Sequence, residues 1–296
     1  MSNLDLTTLF YKVDNFCKEF EPEWFKLLLQ SKAQQRNRQH RLNLSEIMTI
    51  VIAFHYSGMR TFKDFYLLLP TYDRGAFPGL LSYSRFITVM KICLLPLFAF
   101  VKYHQDECTG ISFIDATPIV VCHNKRISSH KVFDGIAKRG KSSMGWFFGF
   151  KLHIVVNHFG GLLAFKLTAG NVHDITVVEE LSQSIFGKLF GDKGYISAKL
   201  FEKLLSQGVQ LITKMRANMK GKLMPLVDKI LLKKRSLVES VYHQMKDVFY
   251  VEHTRHRNPI NFLVNMLSGL AAYCLYENKP KIRLDWTPST PILGAP

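Results

Sequence analysis

The sequence predicts an α/β protein in which an all-α N-terminal domain precedes a mixed sheet with flanking helices. Three observations predict it. Residues 1 to about 105 read as helical. From residue 111 the texture changes to short apolar runs rich in Ile, Val and Phe, separated by glycines. The order from there is strand, hairpin, helix, strand, helix, strand, helix, which layer packing resolves as a sheet covered by helices.

Taken in order, Leu44 to Ser57 is strongly apolar, takes Ser45 as a cap, and stops at Gly58, a natural helix-ending residue. Thr61 to Leu69 is a second helix that Pro70 ends, and Ser82 to about His104 is further helix, broken near Pro96. Helix, glycine and helix followed by Ser82-Tyr-Ser-Arg-Phe86 is compatible with a helix-turn-helix, and equally with a bundle that merely packs. Ile111 to Ile114 is a short strand ending at Asp115, after which the rigid Thr117-Pro118 step re-aims the chain. Phe150 to Asn157 and Leu162 to Leu167 are strands of one hairpin, turned at Gly160-Gly161. Asp174 caps a helix to about Phe186, Lys188 to Phe190 is a strand that delivers Asp192, and Ser197 to Ser206 is a helix. Val209 to Ile212 is a strand, and one long helix covers about Lys233 to Phe249. The expected division is 1–105 helical, 106–277 α/β, and a Pro-rich tail, 278–296, expected to be disordered.

Composition narrows the function classes. The chain has 39 Lys and Arg against 23 Asp and Glu, a net charge of +16 and a pI near 9.6. Such a field attracts polyanions, of which nucleic acid is the commonest. No apolar run is read as reaching the roughly 18 residues of a membrane span, and Phe262 to Tyr276 is broken by Asn265, Ser268 and Gly269. The start lacks the basic and apolar regions of a secretory signal. Five widely spaced cysteines without a CxxC pair argue against a disulfide frame or structural zinc. A cytoplasmic protein with reduced thiols, no membrane partner and a nucleic-acid partner is expected.

Three acids stand where strand ends and a helix could bring them together. Asp115 follows Ile-Ser-Phe-Ile; Asp192 lies in Gly191-Asp-Lys-Gly-Tyr195, where glycines allow close backbone approach; Glu239 is on the last long helix. One face of that helix holds Arg235, Glu239, Tyr242, His243 and Lys246, and the opposite side carries Leu237, Val241, Met245 and Val248. Arg235 to Glu239 is the less favourable order for a plain helix-face ion pair. Carboxylates that converge on a pair of divalent cations about 3.5–4 Å apart are what two-metal phosphoryl transfer needs.

These motifs resemble those of bacterial insertion-sequence DDE transposases, most nearly the branch numbered family 982. Arg235-x3-Glu239-x6-Lys246 resembles the family's C-terminal motif, with Leu232 where its tyrosine would fall. Phe113-Ile-Asp115-Ala-Thr-Pro-Ile119 resembles its first acidic motif and Gly191-Asp192-Lys193-Gly194-Tyr195 its second. The likeness extends to Gly149-Phe-Lys151-Leu-His153 and Ala169-Gly-Asn171-Val-His173-Asp174. It implies an RNase H-like fold and two Mg²⁺ ions, with Mn²⁺ as substitute, held by Asp115, Asp192 and Glu239 as the catalytic and metal-binding residues. It further implies cleavage at element ends in double-stranded DNA and strand transfer into target DNA. Paired synapsis implies a homodimer. The alternatives are a nuclease of the same fold that never joins DNA, and a non-catalytic DNA-binding protein.

Two basic runs suit the DNA backbone. Residues 123–145 hold Lys125, Arg126, Lys131, Lys138, Arg139 and Lys141 against Asp134 alone. Residues 213–235 carry Lys214, Arg216, Lys220, Lys222, Lys229, Lys233, Lys234 and Arg235 against Asp228, a clamp for a DNA end. Arg235 either joins that clamp or orients Glu239, and the resemblance implies that Lys246 contacts a phosphate near the cleaved bond. Gly135 to Ser142 satisfies a phosphate-loop pattern, but no buried strand precedes it and glycines spoil the helix that should follow. His153, His173 and His243 are supporting groups or structural histidines.

Overall fold

The structure is a computed structural model, and it describes residues 5–30, 41–72, 75–214, 224–252 and 257–283. Three cations of a short basic stretch without acids at 31–41 (Lys32, Arg36 and Arg38), together with Arg216, Lys220, Lys222 and most of the expected tail, lie outside the described residues. Contacts group the chain into two units, one of residues 1–104 with 244–276 and the other of 105–243 with 277–296.

The first unit is helical: α1 (Leu6–Gln30), α2 (Leu44–Tyr56), α3 (Phe62–Tyr72), α4 (Tyr83–Val89), α5 (Leu94–Tyr103) and, late in the chain, α10 (Pro259–Leu275). Asn43 caps α2, its N–H donating to the Glu46 carboxylate at 2.6 Å, while Ser45, expected as the cap, is buried as the second residue of the helix. Pro70 lies within the last turn of α3 rather than beyond it. The expected break at Pro96 falls earlier, at the 3₁₀ turn Met90–Cys93. Pro96 sits in the first turn of α5, where the missing N–H has no helical partner to lose. α10 packs on α2 and α5 and is buried from Val264 to Leu275. His55 reaches it from α2, with Nε2 3.0 Å from the Ser268 hydroxyl. The helical run Tyr83–Tyr103 is, by length and composition, apolar enough to cross a membrane, which corrects the expectation that no segment reaches that length. Its Phe86, Val89, Leu97, Phe100 and Val101 are buried, as in a core helix.

The second unit is a six-stranded mixed sheet: β1 (Ile111–Cys122), β2 (Lys138–Ser142), β3 (Gly145–Asn157), β4 (Leu162–Ala169), β5 (Gly187–Gly191) and β6 (Val209–Thr213). The order is β2-β3-β1-β5-β6, with β4 also paired to β3. β2 and β4 take successive halves of one β3 edge, pairing with Gly145–Gly149 and Phe150–Val156. β1 is antiparallel to β3 and parallel to β5, which is parallel to β6. This is the mixed sheet with flanking helices that the sequence predicts, consistent with the RNase H-like fold that the resemblance implies.

Helices α6 (Val178–Leu181), α7 (Ala198–Ser206), α8 (Leu226–Lys233) and α9 (Ser236–His243) accompany it. Val178, Leu181, Leu200 and Leu204 pack with Ile114, Val155, Leu189 and Leu211 in one core cluster. Phe113 and Phe190, one residue off in strand parity, turn to the other face and stack at 5.4 Å. α8 packs on β5 and β6, and α9 on β1.

Three elements depart from expectation. β1 does not bend at Pro118; it runs on to Cys122, with Pro118 opposite Lys151. β5 pairs only with Ile111–Phe113, so the absent N–H of Pro118 removes no bond on that side. The helix from Asp174 is a 3₁₀ turn, Asp174–Val177, and four residues of α6. The long helix expected at 233–249 starts at Ser236 as α9 and gives way after His243 to a π turn, Gln244–Val248, while α8 before it is unexpected.

Candidate active site

The register of β1 and β5 sets the first two acids. Phe113 stands opposite Phe190 on these parallel strands. Two residues on in sequence come Asp115, within β1, and Asp192, just past the end of β5, and Asp192 lies close enough for its charge to act on Asp115. Asp192 follows β5 in extended conformation (φ −80°, ψ 172°), and a tight turn, Lys193–Tyr195, comes at once. Gly191 makes this possible, because a Cβ there would lie 3.0 Å from the Tyr195 ring and 3.2 Å from Ile114.

Arg235 joins the first acid to the third. Its guanidinium donates to Asp115 Oδ2 at 2.9 Å and to Glu239 Oε1 at 3.1 Å. The Arg235 side chain is 16% exposed, that of Asp115 22% and that of Glu239 61%. Burial raises the pKa of Asp115 above the usual carboxylate value; Arg235 opposes that rise and Asp192 adds to it. Tyr242, expected on the polar face of its helix, is buried. Its hydroxyl lies 2.7 Å from the Asp115 carbonyl and 3.0 Å from the Leu152 carbonyl, so one proton serves two acceptors and clips α9 to β1 and β3.

A second polar row lies beside these residues. Lys151 Nζ donates to Asp174 Oδ1 and to the Val172 carbonyl, both at 2.9 Å. His153, fully buried, has Nε2 2.8 Å from the Thr168 hydroxyl and Nδ1 3.9 Å from Asp174. Burial pushes the His153 pKa down to about 4. The buried Tyr195 hydroxyl makes no hydrogen bond among the described residues; burial and the charges of Asp115, Asp174 and Asp192 push its pKa up. Sequence reasoning passed over Tyr195 and Tyr242 as functional groups. The signal for Tyr242 was its place three residues after Glu239, and for Tyr195 its place closing the Asp192 motif.

Among the described residues, no group of three His, Cys, Asp or Glu side chains is gathered closely enough to hold a metal ion. Asp115 and Asp192 are brought together, and Glu239 meets Asp115 only through the guanidinium between them. The donor set is nonetheless all carboxylate, the hard oxygen chemistry that suits Mg²⁺ or Mn²⁺. A cation held by Asp115 and Glu239 would take over the neutralising role that Arg235 has in this arrangement.

The predicted DNA contacts fall in separate places. Lys125 and Arg126 are exposed on a 3₁₀ turn, Asn124–Ser129, and Lys138, Arg139 and Lys141 are exposed on β2. Gly135 to Ser142 is therefore a turn leading into a strand, without the helix that a phosphate loop needs. Lys214 lines a groove of about 310 Å³ with Lys229 and Lys233 of α8, and the buried Asp228 of α8 anchors that helix to Lys188 at 2.6 Å. Lys246 lies in the helical unit, 2.9 Å from Glu252. His173 and His243 are exposed, and all five cysteines are free thiols.

A family model described as a transposase DDE domain matches residues 105–259, just over half of the chain. Among curated proteins none matches.

Proposed function

The chain belongs to the transposase DDE domain family, and from that premise we propose that it cuts DNA at the ends of an insertion sequence and joins the freed ends to target DNA. A transposase acts on DNA, and this family generally uses divalent metal ions. The observation that best supports the reading is that Asp192, just past the end of β5, comes within electrostatic reach of Asp115 on the adjacent parallel strand β1, with Glu239 tied to Asp115 through Arg235.

In this reading Asp115, Asp192 and Glu239 hold two Mg²⁺ ions, or Mn²⁺ in their place. When bound, such ions supply Lewis-acid stabilisation of the charge that develops in phosphoryl transfer. The remaining work is positional. Tyr242 holds the backbone at Asp115, so the carboxylate is presented from a fixed point on β1. Arg235 balances Asp115 and Glu239, and its planar fork is suited to a phosphate once Asp115 no longer needs it. Lys125, Arg126, Lys138, Arg139, Lys141 and Lys214 neutralise the DNA backbone, with Arg216 and Lys246 assigned the same role from the sequence. Residues 1–105 recognise the element's ends, and two copies pair two ends in the cytoplasm.

The test uses the full chain, a labelled DNA fragment carrying the element's end, target plasmid and Mg²⁺. Asp115→Asn, Asp192→Asn and Glu239→Gln should each lower joined product by about a hundredfold or more, while binding to DNA persists in EDTA. Cutting without joining by the unaltered chain would make it a nuclease of the same fold. Binding with neither reaction, in Mg²⁺ or Mn²⁺, would make it a DNA-binding protein without catalysis. Joined product near the unaltered level from all three variants would refute the reading.

A further inference from the structure

The hairpin that joins β2 to β3 carries an exposed indole in a strongly cationic setting. Trp146 is 63% exposed and Met144, at the tip, 96%. Trp146 stands opposite Lys141 in the strand register, and the Lys141 ammonium lies 5.9 Å from the indole centroid. Asn124 Nδ2 donates to the Trp146 carbonyl at 2.7 Å, which ties the turn bearing Lys125 and Arg126 to the same hairpin. Arg139, one pair along the ladder from Gly140 and Phe147, adds a further exposed cation. Asp134 is the one acid in the sequence from 123 to 146.

The base of the hairpin is closely packed while its tip is presented to solvent. A Cβ on Gly140 would lie 2.2 Å from the Gly170 carbonyl oxygen, so β2 is pressed against the β3–β4 side of the sheet. Phe133 is buried and meets Phe150 edge-on at 5.6 Å, holding the chain that leads into β2. Trp146 therefore gains little local packing from its size, although tryptophan is usually well buried. Eight strand residues separate it from Ile154, the partner of Asp115, a span of roughly 26 Å. It is too far from Asp115 to touch the reacting phosphate.

Cations that track a phosphate backbone, with an aromatic face among them, are the combination that holds DNA bases out of a duplex. We propose that Trp146, with Met144 and Lys141 beside it, is a stacking platform for an unpaired DNA base some distance along the DNA from the bond that is cut. The proposal rests on the reading of this protein as an enzyme of DNA ends, but its test is binding, not catalysis.

The full-length protein carrying Asp115→Asn is titrated with two fluorescent DNA duplexes in EDTA, one fully paired and one with a single unpaired base, and then with a single strand. Trp146→Ala should weaken binding of the single strand and of the unpaired-base duplex about tenfold, and binding of the paired duplex less than about twofold. Trp146→Phe, which keeps an aromatic face, should restore most of the loss. Lys141→Ala should weaken all three and reduce the salt dependence. Equal losses on all three DNAs, or no loss, would overturn the proposal. So would Trp146-dependent binding to phosphatidylserine vesicles, or a Trp146-dependent monomer–dimer shift, without the preference for an unpaired base. If joining by the otherwise unaltered chain survives Asp115→Asn while the stacking preference holds, the catalytic reading fails and the platform stands.

Discussion

Replacing Arg235 with glutamine tests the electrostatics of the site most directly. The guanidinium serves two carboxylates of different exposure. Glu239 is 61% exposed, so its pair with Arg235 contributes at most about 1 kcal/mol after screening by solvent. Asp115 is only 22% exposed, lies close enough to Asp192 to feel its charge, and already has its pKa raised by burial. A charge-assisted hydrogen bond to such a group is worth about 1.5–3 kcal/mol, so Arg235→Gln should destabilise the folded chain by about 2 kcal/mol at pH 7.5. The sign with pH follows from Asp115. Its folded pKa lies above 3.8, and losing Arg235 moves it higher. The ionised form is then the unfavourable one, so the variant's deficit is full at neutral pH and shrinks as pH falls through that raised pKa. Urea unfolding at pH 7.5 and pH 4.5 on the four members of the cycle Arg235→Gln, Asp115→Asn, the double variant and the unaltered chain would read both effects. The cycle should give a coupling of about 2 kcal/mol at pH 7.5. Removal of the guanidinium should also tighten Mn²⁺ binding about tenfold in calorimetry, since the ion no longer competes with it. Additive losses, or a deficit that grows on acidification, would refute the bridging role of Arg235.

Two further outcomes follow from the same geometry. His153 is fully buried with its pKa pushed down to about 4 from 6.5. It charges on unfolding, so stability should fall as pH drops from 6.5 towards 4, by about 3 kcal/mol across that window; His153→Gln should flatten the slope in urea titrations, and an unchanged slope would count against it. Tyr242→Phe leaves the carbonyls of Asp115 and Leu152 without their shared donor. It should destabilise by about 1–2 kcal/mol and lower the joining rate more than DNA affinity, measured by single-turnover assay against binding in EDTA.

Much of the second unit was legible because its signals are local. Gly160-Gly161 between two apolar runs marked the β3–β4 hairpin, and Ser197 marked the start of α7, where its hydroxyl accepts from the Leu200 N–H. β2 was not legible: Lys138-Arg-Gly-Lys-Ser142 has no apolar alternation, and it is a strand because it borders β3 on an otherwise open stretch of edge. Helix α8 was not legible either, because 213–235 reads as a basic run and not by periodicity, yet Leu231 and Leu232 are buried as α8 packs on β5 and β6.

The sequence by itself determined that acids stand at the ends of two strands and on a late helix, because strand and helix periodicity are properties of neighbouring residues. Only the tertiary structure decided that Asp192 comes within electrostatic reach of Asp115, that Arg235 spans to Asp115 across 120 positions, and that the Tyr242 hydroxyl turns inward to the Asp115 carbonyl. Those relations depend on strand register and on how helices seat against the sheet. Both are settled by long-range burial and by charge balance, which no local pattern of residues records.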